Sequence, residues 1–437
     1  MPVMTNPAAS FDCKAAAAIA RGKNEPDWLV AWREEAGARV ADLQLPQPEK
    51  TPIRRWRLDV QGVHRPGKTV SSAAQLPPAI ASLYDASGTG LLIVQHNSSV
   101  VFTRLPEEWA AQGVVLSSLE EAARTHGELL RSHLMTAYAR DEHKLAAMHA
   151  ALWNGGAFLY VPRDVTVAEP VQAILSADDG EATFAPHILI IAEANSRVSF
   201  VENVSSSLGG TEAALVHNGA VEVFAGAGAH IRYAAVHDMD SSAIDISYRR
   251  AILENDARIE WLIGDMHEGH VLSDTKTILR GSGSTSDTKV ICVGTGSQRM
   301  SVTTGAVHIG RSSESGMVTR AVMKDEATAI INGVTKIEKG ATHANGEQTE
   351  RVLMLSPKAR GDANPILLID EDDVKAGHAA SVGQVNAEQV YYLMSRGISR
   401  TEAERLIIYG FLHPVVSEIP LEWMRDQLQR ILVKKLG

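Results

Sequence analysis

From Phe158 to about Ile369 the chain alternates apolar and polar positions in short runs separated by Gly, Ser, Asn and Asp, the period of half-buried strands. Apolar centres recur at Val198, Ile231, Ile259 and Val290, with intervening runs at Val221–Val223, Ala251–Leu253 and Thr277–Leu279. The repeat is about 30 residues. Small or polar turns precede these strands at Glu193–Ser196, Gly226–Ala229, Glu254–Asp256 and Gly281–Ser286. A single strand-and-turn unit cannot bury its apolar face without a stacked neighbour, so the repetition predicts a solenoid, and specifically a parallel β-helix. A β-sandwich or barrel with long hairpins is the competing arrangement.

On both sides of this region the period is helical. Trp28, Trp32, Ala36 and Val40 recur every fourth residue, and Leu45-Pro46-Gln47-Pro48 ends that helix. A capping box at Ser117-Ser118-Leu119-Glu120 opens a second helical segment, continued over Asp141–Trp153 by Leu145, Met148, Ala151 and Leu152 and stopped by Asn154-Gly155-Gly156. Beyond Gly383 the apolar positions are Val390, Leu393 and Met394, then Ala403, Leu406, Ile407 and Tyr409 behind Thr401 as N-cap, then an amphipathic tail, Leu421–Leu436. The predicted organisation is a mostly helical unit over residues 1–155, a β-helix core over 156–378 and a helical unit over 379–437. The second junction is distinctive: an apolar strand, Ile366–Ile369, an acidic turn from Asp370 into His378, and the helix Ala387–Arg396.

Composition removes several function classes. The 437 residues carry a formal net charge of -10 and lack basic tracts with interleaved aromatics, which argues against a nucleic-acid groove. Runs such as Leu91–Val94 and Ile188–Ala192 fall short of the roughly 18 apolar residues of a membrane span, and the alanine tract Ala15–Ala18 lacks the features of a secretory signal. Only two cysteines occur, Cys13 and Cys292, without the spacing of a disulfide framework or a zinc site. A cytoplasmic, reducing location is expected. Cys292, inside the strand-like run Val290–Val293, is read as buried.

Candidate chemistry is sparse. Gly62-Val63-His64-Arg65-Pro66-Gly67-Lys68-Thr69 matches the P-loop pattern, and Ile366–Asp370 could supply the strand and magnesium-binding aspartate of a self-contained nucleotidase using Lys68. A working P-loop needs a buried strand before it and a helix after it; Trp56–Val60 alternates with charges, Pro77-Pro78 follows shortly, and Pro66 removes an amide. Paired carboxylates on β-helix strands could serve a polysaccharide-acting enzyme. His267 and His270 read as exposed turn histidines, not the helical pair of a zinc protease. No G-x-S-x-G elbow is present. His378 stands where the solenoid meets the helical unit, a natural docking position.

The run Asp372-Asp373-Val374-Lys375-Ala376-Gly377-His378-Ala379-Ala380-Ser381-Val382-Gly383, followed by Tyr391-Tyr392-Leu393-Met394-Ser395-Arg396-Gly397-Ile398, closely resembles the SufB/SufD family of iron-sulfur cluster assembly proteins. Further matches are Ala147–Val161, Pro162, Pro170, Gly333, Ala341, Gln348 and Leu353–Ser356. Length, few cysteines and the form AGHAASVGQV make the chain most like the SufD branch of the Gram-positive type. The resemblance implies a right-handed parallel β-helix flanked by helical N- and C-terminal domains, and a non-catalytic scaffold. It further implies pairing with a SufB-like subunit, docking of a SufC-like ATPase of the ABC type through the C-terminal helices, and a homodimer as a further state of the isolated chain. His378 matches a histidine implicated at the SufB interface, as a shared ligand of a nascent, transient iron-sulfur cluster. Ala376 stands where some relatives have cysteine. Tyr392, Arg396, Gly397 and Arg405 are expected near the SufC contact, with core packing the alternative for Tyr392. Cys13 and Cys292 do not amount to a four-thiolate set, so no stable cluster is expected on this chain alone.

Overall fold

The computed structural model describes residues 20–56, 58, 63–84, 90–209, 215–419 and 422–436. Cys13, Gly62, Leu421 and most of the Trp56–Val60 run lie outside them. The strands wind into a β-solenoid of about eight turns flanked by N- and C-terminal helices. Each turn contributes one strand to a ten-stranded sheet and one to a nine-stranded sheet, and successive turns pair in parallel without register shifts. The lumen between the sheets is filled by aligned residues. Phe200 stacks on Tyr233 with centroids 5.4 Å apart, and Tyr233 meets Trp261 at 5.0 Å.

One corner of the coil shows why the small and polar turns recur. Asp164, Asn195, Asp256, Ser312 and His343 occupy the left-handed region there, and Gly228 and Gly283 take the same place in intervening turns. A Cβ on Gly228 would lie 2.5 Å from Asn195 Oδ1, and one on Gly283 would lie 2.3 Å from Asp256 Oδ1. Glycine and a short polar residue alternate over those turns because each side chain occupies the space above the next glycine. Asn195 Nδ2 also donates to Asp164 Oδ1 at 2.8 Å.

The helical units cover the two outer faces. On the nine-stranded sheet, Asp27–Arg39 and Lys144–Leu152 pack over Phe158, Leu189, Ile246 and Tyr248. On the ten-stranded sheet, Arg400–Val416 and Glu422–Leu436 bury Ala234, Val236, Leu262, Ile291 and Val293.

Several expectations are corrected. The buried side of Asp27–Arg39 is Leu29, Arg33, Ala36 and Gly37, whereas Trp28 and Trp32 are half-buried beneath the guanidinium groups of Arg131 and Arg140. Apolar periodicity overlooks Arg33 because it is charged; Glu25 neutralises it at 2.7 Å, and the guanidinium lies 3.8 Å from the centre of the Trp153 ring. The N-cap of Leu119–Thr125 is Ser118, accepting from the Glu121 N–H, and Ser117 ends a strand. Ser399 caps Arg400–Val416 in place of Thr401.

The β-region is also wider than expected. Leu92–His96 pairs in parallel with Val171–Ala177, so the ten-stranded sheet begins inside the unit expected to be helical. At the other end the boundary expected at 378 falls within a strand, Lys375–Gln384, which extends the ten-stranded sheet by one more rung. Its small residues carry no apolar alternation, and the neighbouring strand Asn345–Met354 imposes the extended form through its ladder.

Candidate functional site: the open end of the solenoid

The last rung consists of Arg360–Ile369 in the nine-stranded sheet and Lys375–Gln384 in the ten-stranded one, and both are sheet ends. One rung inside, Thr328–Ile337 is mostly buried and Asn345–Met354 is buried at its lumen-facing positions, whereas these two are half-buried to exposed along their length. Ile369, Val382 and Leu368 are 43%, 43% and 48% exposed. Ile369 is in register with fully buried Ile337, and Val382 with buried Val352, so both face the lumen with no further rung above them among the described residues.

His378 is in register with Gln348 on the strand beneath, placing its imidazole on the lumen side of the open end, where it is exposed. It sits within a strand and not after a turn, as the acidic run had suggested. Asp370, the former magnesium candidate, is an exposed turn residue whose N–H donates to the Ile337 carbonyl at 2.9 Å. Lys68 is at the opposite end, since residues 65–70 bond to Ser98, Ser99 and Val101 next to the first rungs. With many rungs between them, roughly 4.8 Å each, Lys68 and Asp370 cannot share a nucleotide. Among the described residues no strand leads into Gly67-Lys68-Thr69 and no α-helix leaves it directly, and with Asp370 at the other end of the coil the two-part P-loop reading is not supported.

Beyond the last strand, Asn386 caps the helix Ala387–Ser395 by accepting from the Glu388 and Gln389 N–H groups. Only Val390 of this helix is buried. Tyr391, Tyr392, Met394 and, on the following helix, Leu406 are exposed large hydrophobics. Tyr392 is therefore no core residue: its ring lies 5.3 Å from the Arg396 guanidinium. Gly397 turns the chain at a φ of +88°, and Arg405 pairs with Glu402 at 3.3 Å. A groove of about 540 Å³ runs between the two helices, lined by Asn386, Gln389, Tyr392, Leu393, Leu406 and Gly410.

A second polar cluster, which the sequence reading missed, lies deep in the lumen. Asp245 accepts from His217 Nδ1, His237 Nδ1 and the Ser247 hydroxyl, each at 2.7 Å. Burial alone would raise the Asp245 pKa, but the two imidazoles hold it well below the usual carboxylate range. The ligand atoms of His217, His237 and Asp245 lie within 4.8 Å of one another, a donor set compatible with a divalent metal. Each of those atoms is already engaged in a hydrogen bond, and all three residues are at most 1% exposed. His267 is also fully buried, correcting its reading as an exposed turn residue; burial lowers its pKa to about 4. Single residues spaced a strand apart carried no local motif, and only the coil gathers them. Cys292 is buried as expected, and desolvation pushes its thiol pKa far up.

Residues 174–411 match the family described as SUF system FeS cluster assembly, SufBD core domain, and residues 85–173 match the SufBD protein N-terminal region. The iron-sulfur cluster assembly protein SufD of Bacillus subtilis is 44% identical over 94% of this chain and 95% of its own length. The SufB protein of the same organism is 25% identical over 93% of this chain and 89% of its own, and a SufBD family protein of Staphylococcus saprophyticus matches equally.

Proposed function

Since this chain belongs to the SufB/SufD family of iron-sulfur cluster assembly proteins and is a homologue of SufD, we propose that it is a scaffold subunit that pairs with a SufB-like protein through the open end of its solenoid. The observation that carries this reading is the uncovered last rung. An edge strand exposes a row of unpaired N–H and C=O groups and invites another strand. Of the two end strands, Arg360–Ile369 contains Pro365, which lacks a donor, whereas Lys375–Gln384 has no proline and surrounds His378 with Ala376, Gly377, Ala379, Ala380 and Ser381. Small side chains leave that backbone edge accessible, which favours Lys375–Gln384 as the pairing strand. The same edge could serve a homodimer of the isolated chain.

In this reading the subunit works without turnover of its own. His378 offers one borderline nitrogen ligand at the interface, and sulfur ligands come from the partner, so a cluster is held only transiently and only in the complex. Ala376 supplies no thiolate. A SufC-like ABC-type ATPase docks on the exposed helices after Gln384, where Tyr391, Tyr392, Leu406 and the groove beside Leu393 form an apolar surface, with Arg396 and Arg405 as charged neighbours. The test is reconstitution of the three-subunit complex with His378→Ala. Complex formation is expected to persist while cluster yield falls at least ten-fold; undiminished yield would remove the ligand role.

A further inference from the structure

One rung inside the open end, the lumen holds a group of buried polar atoms without hydrogen-bond partners. Glu350 is 1% exposed, and neither of its carboxylate oxygens has a partner. Gln348, also 1% exposed, uses its amide oxygen to accept from Thr335 but leaves its amide nitrogen unpartnered. The Thr319 and Thr304 hydroxyls are buried and unpartnered as well. The ladder brings these residues together: Thr319 is in register with Glu350 in one sheet, and Thr304 with Gly333 in the other. A Cβ on Gly333 would lie 2.0 Å from Glu350 Oε1 and 3.2 Å from Gln348 Oε1, so the Glu350 carboxylate occupies the space that this glycine leaves, with the Gln348 oxygen beside it.

Buried polar groups are normally paired, and an unpaired carboxylate is the most unfavourable of them to leave so. Here the Glu350 and Gln348 side-chain oxygens meet beside Gly333 without bonding each other, and Thr319 and Thr304 are in register with Glu350 and Gly333, an oxygen-rich grouping of the kind that holds a hard cation. In the deeper Asp245 cluster, by contrast, the carboxylate is saturated by hydrogen bonds. We propose that this part of the lumen binds one divalent first-row cation, of the Mn²⁺ or Fe²⁺ class, with Glu350 as the charged ligand and the Gln348 amide and Thr319 and Thr304 hydroxyls as neutral oxygen ligands. All-oxygen coordination selects such a cation over a soft one. His378, in register with Gln348, stands directly above at the mouth, on the path by which an ion enters. The site rests on the lumen geometry and not on the pairing reading, so the chain alone tests it.

The experiment titrates the purified full-length chain with Mn²⁺ and counts free Mn²⁺ by its paramagnetic resonance signal. The wild type is expected to bind one Mn²⁺ per chain, Glu350→Gln at least ten-fold more weakly and Thr319→Val several-fold more weakly. No saturable binding by the wild type overturns the proposal, as does wild-type affinity in Glu350→Gln. Should Glu350→Gln fail to fold, Thr319→Val decides: undiminished affinity there overturns the proposal equally.

Discussion

His378 and Glu350 stand one rung apart, and their surroundings give them opposite characters. His378 is exposed at the mouth, while burial raises the Glu350 pKa from 4.5 to about 7. A carboxyl whose pKa is raised on folding binds more protons folded than unfolded. Its contribution to stability is therefore fully present below the unfolded value near 4.5 and is lost as pH rises through about 7. Glu350→Gln removes that loss. Urea denaturation in chelator is expected to find the variant and wild type nearly equal at pH 4.5 and the variant more stable by roughly 1–3 kcal/mol at pH 8. Equal stability at pH 8 would show that the carboxylate is solvated. His378 was legible from its place at a junction and from the residues around it. Glu350 was not, because its partners Thr304, Thr319 and Gly333 lie on neighbouring strands and opposite walls and have no local spacing in common.

The repeated corner is the element on which the coil depends. Its glycines and short polar residues were legible as turns, since those types recur at each strand start, but their alternation from Asn195 through Ser312 follows only from stacking of one turn on the next. Gly283→Ala places a methyl at a φ of +68° and against Asp256 Oδ1. It is expected to destabilise the chain by about 2–3 kcal/mol by urea denaturation, and Gly209→Ala, also at positive φ but facing open space, by about 1 kcal/mol. A similar loss at both positions would mean that backbone conformation alone matters and stacking does not. The elements least legible were those whose side chains say little: Lys375–Gln384 is rich in alanine and glycine, and its neighbour decides its conformation. Helix periods, by contrast, found the C-terminal unit but not its buried face: of Ala403, Leu406, Ile407 and Tyr409 only Ala403 is buried, and Ile408 and Leu412 pack against the sheet.

At the scale of the whole chain, both sheets have their outer faces covered by helices and their inner faces joined in the lumen, leaving the last rung as the place where apolar and backbone groups remain open together. Ile369 and Val382, in register with buried Ile337 and Val352, would be part of a core if another rung followed. In the proposed pairing a SufB-like protein, which in Bacillus subtilis is 25% identical over 93% of this chain, supplies it. The surface proposed for the ATPase lies on the C-terminal helices, a separate region, so its loss need not break the proposed pairing. No helix among the described residues is long and apolar enough to cross a membrane. The most direct measurement mixes the purified chain with the SufB protein of the same genome and determines the mass of the product by light scattering after size exclusion. A one-to-one complex is expected, and Val382→Glu, which sets a charge on the lumen side of the open rung without disturbing a buried position, is expected to weaken it at least ten-fold while the chain stays folded. A complex of undiminished affinity with Val382→Glu, or no complex with the wild type, would contradict pairing through this end.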